Sequence, residues 1–97
     1  RALEAAALLQ LGETYSRHGE PRRVLRTYEK ALEAARRSNV KPLVALSSWR
    51  LANSVEQSGN GRAALKYYEQ CLAALDPAEV RDPTPAAVQA KIAALRN

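Results

Sequence analysis

Apolar residues recur every three or four positions in five stretches of this chain, each closed by glycine, asparagine or a proline-rich break. In the first stretch, Leu8, Leu11, Gly12 and Tyr15 share one face of a helix predicted over residues 2–18. Gly19 ends that helix by accepting a left-handed backbone, and Pro21 stands at a first helical position, where a missing N–H costs nothing. A second helix is predicted over 21–38, with Val24, Leu25, Tyr28, Ala31, Leu32 and Ala35 apolar and Asn39 as its terminator. The third, over 42–58, begins at Pro42 and carries Leu43, Val44, Leu46, Trp49, Leu51, Ala52 and Val55. That is too many for one narrow stripe, so neighbours should contact this helix on more than one side. Gly59-Asn60-Gly61 breaks the pattern, and a fourth helix over 61–75 shows Ala64, Leu65, Tyr68, Cys71, Leu72 and Leu75. After a proline-rich connection, Thr84 caps and Pro85 opens a last helix over 85–96, with Val88, Ile92 and Leu95. No stretch alternates with a period of two over a useful length. The chain therefore reads as all-α, with short turns that make consecutive helices antiparallel.

The pattern also repeats at a spacing of about 40 residues. Leu11 falls on Leu51, Gly19 on Gly59, Arg22 on Arg62, Leu25 on Leu65, Tyr28 on Tyr68, Glu29 on Glu69 and Leu32 on Leu72. A period in this range marks stacked supersecondary units. Here the unit is a helical hairpin: one copy over about 2–38, a second over about 42–77 and a terminal helix over about 85–96. Such units leave a hydrophobic face that only a neighbour covers, and two are few. The polar Gln89, Lys91 and Arg96 favour a partly solvated cap for the terminal helix. The open N-terminal end predicts self-association, or docking onto further repeats.

These residues resemble the tetratricopeptide repeat, whose pattern is W-x₂-L-G-x₂-Y, then A-x₃-F, then P. The first copy supplies Leu8, Leu11, Gly12, Tyr15, Val24 and Tyr28; the second supplies Ser48, Leu51, Ala52, Val55, Ala64 and Tyr68. Arg36 stands where the first copy would close on proline, and Pro77 comes one residue late in the second. Gly12 and Ala52 are small where paired helices cross, and Tyr28 and Tyr68 fill the space between units. The resemblance implies an α-solenoid of antiparallel hairpins, two repeats plus a C-terminal capping helix, that binds protein partners without catalysis. Residues 39–44 are extra to the usual unit and should lengthen the following helix at its start.

In such arrays the first helix of each pair lines a concave surface. That expectation selects Leu9, Glu13, Ser16 and Arg17 from the first copy, and Leu46, Trp49, Arg50, Asn53, Glu56 and Gln57 from the second. Trp49, Arg50 and Asn53 share a face at helical spacing. Trp49 with Leu9 could hold an apolar side chain, Asn53 could bond a peptide backbone, and Arg50 could meet a carboxylate. The competing roles are plain: Trp49 as packing between helices, Asn53 as an ordinary surface amide. Cochaperones with this repeat grip a C-terminal carboxylate through Lys and Asn. The corresponding places here hold Leu9, Glu13 and Arg50, and Glu13 would repel that group, so no binding of chaperone tails is expected.

Net charge is +5, and Arg supplies most of the 15 basic residues, which suits an acidic protein or peptide partner. Arg22, Arg26, Arg62 and Lys66 should form a basic ridge on the convex side. That ridge raises nucleic acid as a weaker alternative, diluted by Glu29, Glu33 and Glu69 and lacking interleaved aromatics. Enzymatic chemistry has little support, because His18 stands alone at a helix end and Cys71 replaces the small Ala31 in phase. Gly59-Asn60-Gly61 lacks the Lys-Ser/Thr continuation of a phosphate loop. No metal, cofactor or membrane partner is expected, since no metal-ligand spacing and no apolar run of about 20 residues occurs. The single cysteine excludes an internal disulfide, so a cytoplasmic setting is expected. The chain opens on Arg1 and not Met, which suggests a piece of a larger scaffold or regulatory protein.

Overall fold

The computed structural model describes residues 2–97. Five helices follow in chain order: α1 (Ala2–Arg17), α2 (Pro21–Ser38), α3 (Lys41–Gln57), α4 (Gly61–Ala74) and α5 (Pro85–Arg96). No strand occurs among the described residues. α3 starts at Lys41, one residue before Pro42, which is still within the turn where proline is tolerated.

The two hairpins, α1–α2 and α3–α4, turn in the same way. Gly19 and Gly59 both take positive φ, 69° and 94°. In the first turn Gly19 N–H donates to Ser16 C=O and Glu20 N–H to Tyr15 C=O; in the second Gly59 donates to Glu56 and Asn60 to Val55. These paired bonds satisfy the orphan carbonyls at the helix end. Asn39, also left-handed at φ 56°, closes α2 and turns the chain from one hairpin into the next. α4 is capped by the Asn60 side chain accepting from Ala63 N–H, and α5 by Thr84 accepting from Ala87 N–H.

Three apolar clusters hold the hairpins together. Leu9 of α1, Val24, Tyr28, Ala31 and Leu32 of α2 and Leu51 of α3 form one. Ala45 and Ala52 of α3, Ala64, Tyr68 and Cys71 of α4 and Val88 and Ile92 of α5 form another. Ala5, Ala34 and Ala35 form a small third, with Leu8, Leu43 and Val44 against it. α3 thus touches both α2 and α4, which explains its broad apolar surface.

The hairpins close on their tyrosines. Tyr28 lies so near the α1 backbone that a Cβ on Gly12 would stand 2.4 Å from its ring. The corresponding pair, Ala52 and Tyr68, is fully buried. The third position in this series is Ile92, too bulky to admit a ring in the same way. α5 accordingly uses Ile92 and Val88 to cover α4, as a cap does.

The burial of Leu11 departs from expectation. Leu11, placed with Leu8, Gly12 and Tyr15 on the core face, is 41% exposed, whereas its counterpart Leu51 is 1% exposed. The difference is a neighbour: α2 lies over Leu51, and no helix lies over Leu11.

Gly12→Ala should therefore destabilise the fold. The methyl overpacks Tyr28 at about 1–3 kcal/mol, against about 1 kcal/mol gained in helix propensity. A net loss of about 1 kcal/mol is expected from urea unfolding. Ser47→Ala should act oppositely, since the Ser47 hydroxyl is fully buried with no hydrogen-bond partner among the described residues. A gain of about 0.5–1 kcal/mol is expected in the same assay.

Candidate functional site

The first helices α1, α3 and α5 form one wall, and α2 and α4 back it. The tyrosines that close the hairpins reach this wall with their hydroxyls. At the first, Arg50 of α3 donates to the Glu13 carboxylate of α1, and Tyr28 lines the same cavity beside them. Burial works against the Arg50 charge, but these two neighbours outweigh it and hold its pKa above the ordinary value. At the second, the Tyr68 hydroxyl lies 2.7 Å from Glu56 Oε1 and 2.6 Å from Asn53 Oδ1 and shares its proton between them. Lys91 of α5 reaches the same Glu56 oxygen at 3.4 Å. A polar knot beside each tyrosine therefore ties one first helix to the next.

The Tyr68 hydrogen bond holds the Glu56 carboxyl below the usual range against partial desolvation, and Lys91 adds to the effect. Tyr68 itself is pushed upward, first by burial and then by Glu56. Trp49 meets the Tyr68 ring edge-on, with centroids 5.5 Å apart and planes at 62°. The indole is thus half in the core and half on the wall. Burial alone pushes the Cys71 thiol up to about 11, so at neutral pH it is a protonated, inert core group. No cluster of metal-ligating side chains occurs among the described residues, and no helix is long and apolar enough to cross a membrane.

The selected residues are thus sorted by the fold. Glu13 and Arg17 on α1, and Leu46, Trp49, Arg50, Asn53 and Glu56 on α3, lie on the first helices at exposed or part-buried positions. Leu9 does not belong with them. It is 9% exposed and packs against Val24, Tyr28 and Leu51, because α1 turns that side toward α2 and α3. It cannot share a ligand with Trp49. Asn53 also has less to offer than expected, since its amide oxygen is engaged by Tyr68 and only its N–H donors remain. Arg22, Arg26, Arg62 and Lys66 are exposed on the second helices, at matching positions of α2 and α4. None of the four forms an ion pair among the described residues.

Sequence reasoning missed the tyrosine hydroxyls and Lys91. The signal for the hydroxyls was present: the repeat pattern carries Phe where this chain has Tyr28 and Tyr68, and a buried phenol seeks a polar partner. Lys91 had no such signal, because its pairing with Glu56 depends on where the connection 75–84 sets α5 down.

A shallow cavity of about 380 Å³ opens on the wall, lined by Glu13, Ser16, Arg17, Tyr28 and Arg50. Arg17 pairs with no carboxylate among the described residues, so two guanidinium groups face one carboxylate there.

A family model for the tetratricopeptide repeat matches residues 7–41 and 50–83. No curated protein matches the chain.

The lowered Glu56 pKa sets a pH dependence. Its contribution to stability is in place above the ordinary Glu value of about 4.3 and is lost as pH falls through the lower folded value. Tyr68→Phe removes the donor that lowers it. Urea midpoints measured from about pH 6 to pH 3 should fall less steeply for Tyr68→Phe than for the parent chain.

Proposed function

Because the chain belongs to the tetratricopeptide repeat family, we propose that its first-helix wall binds an extended segment of a partner protein and performs no catalysis. Repeats of this family mediate protein–protein interactions. The observation that carries the reading is the cross-linked wall itself. Arg50 is held to Glu13 of α1, and Glu56 to Lys91 of α5 and to the buried Tyr68, so the recognition side chains are ordered before a partner arrives. Ordering in advance lowers the entropic cost of binding.

The chemistry of the wall suits an acidic segment with an adjacent apolar residue. An Asp or Glu side chain fits the cavity where Arg17 and Arg50 outnumber Glu13. The free edges of Trp49 and Leu46 offer an apolar surface on the same helix, and the Asn53 N–H groups face a peptide carbonyl. The role is that of a scaffold or regulatory segment within a larger protein, and the single inert thiol is compatible with a cytoplasmic setting.

Trp49 is the sole tryptophan and serves as the reporter. Titration with arrayed peptides that pair an acidic with an apolar residue should change its fluorescence. Arg17→Glu, at an exposed position, should leave the fold intact and weaken that binding by about tenfold, a change of about 1.4 kcal/mol. Undiminished affinity of Arg17→Glu, or an indole emission that no such peptide alters, defeats the reading.

A further inference from the structure

A second cavity, of about 330 Å³, opens where the end of α2, the start of α3 and the end of α4 meet. Arg36 and Asn39 line it from the end of α2, Lys41 and Val44 from the start of α3, and Gln70, Ala73 and Ala74 from α4. None of these residues lines the wall cavity.

Its charges are unbalanced. Among the described residues, the ion pairs engage Arg23, Arg37, Arg50, Lys91 and Arg96, but neither Arg36 nor Lys41. Glu33, the carboxylate one turn before Arg37, is held by Arg37 at 2.6 Å. Arg36 donates instead to the Gln70 amide oxygen, a neutral partner that fixes the guanidinium without cancelling its charge. With that oxygen engaged, Gln70 keeps its amide N–H groups as donors. No carboxylate lines the cavity. The end of α4 brings a partial negative charge of about half a unit, and the start of α3 brings an opposite one, so the side chains decide the sign.

We propose that this junction cavity binds a phosphoserine side chain of a partner protein. A phosphomonoester carries a charge of about −1.5 to −2 near neutral pH and three acceptor oxygens. That matches two uncompensated cations and a set of donors. On the wall, by contrast, Glu13 offsets one of the two guanidinium groups, which suits a single carboxylate. A nucleic-acid phosphate also carries one charge and matches this cavity less well. Val44, Ala73 and Ala74 offer apolar surface to the carbon atoms of the side chain. The site is independent of the wall, and its failure leaves the reading of the wall untouched.

The test is an NMR titration of the full chain with a short alanine-rich peptide carrying one phosphoserine. The backbone amides of Asn39, Lys41, Val44 and Ala73 should shift and saturate. The affinity should be at least tenfold above that of the same peptide with glutamate in place of phosphoserine. Lys41→Gln and Arg36→Gln, both at exposed positions, should each weaken binding by about tenfold. Lys30→Gln removes the same charge from an exposed position of α2 outside the cavity and should leave binding unchanged. Equal weakening by Lys30→Gln, or shifts centred on Arg17 and Arg50, would overturn the assignment. So would inorganic phosphate binding as tightly as the peptide, which would mark an ion site. A single-stranded oligonucleotide that saturates the same amides more tightly would give the cavity to nucleic acid and overturn it too.

Discussion

The packing of this structure depends on the contact between an aromatic ring and a helix backbone. Tyr28 lies on Gly12 without room for a methyl group, and Tyr68 occupies the same place beside Ala52. Each contact sets how closely a second helix crosses its first. The crossing decides where the tyrosine hydroxyl ends, and the hydroxyl decides which polar side chains meet on the wall. Remove the small residue and the ring must retreat, taking the Arg50 or the Glu56 knot with it.

The two knots solve a common problem with different chemistry. A phenol buried to its ring still needs a partner for its oxygen. Beside Tyr28 stands a cation, Arg50, bonded to Glu13. At Tyr68 the partner is an anion, Glu56, which brings Lys91. In both cases the added charge comes from the adjacent first helix. Ion pairs half-open to water contribute little stability as isolated contacts. Here their main effect is positional, because they hold α1, α3 and α5 edge to edge.

The two ends of the stack differ in a way that internal repetition makes measurable. At one end α5 lays Val88 and Ile92 over α4, and Ile92 occupies the crossing position that a further tyrosine would need. At the other, α1 keeps the residue types of a covered helix but has no cover. A repeat array stabilises each unit through its neighbours, so α4 gains from the cover of α5 what the outer face of α1 goes without.

The sequence by itself determined the helices, the hairpins and the fold family. Periodic apolar positions, Gly19, Gly59, Asn39 and three helix-opening prolines are local signals, and local backbone preference suffices to read them. It also marked the first-helix residues from Glu13 to Glu56, since helical spacing states which residues share a face. Only the tertiary structure decided how each face is used. Leu9 and Leu11 are two positions apart on one helix, and their fates reversed: Leu9 entered the core, and Leu11 stayed in water. Burial depends on whether a neighbouring helix arrives, and the repeat supplies one over Leu51 but none over Leu11. Likewise Tyr68, Glu56 and Lys91 come from three separate helices. Their meeting is set by helix packing across long stretches of chain, which no local pattern encodes.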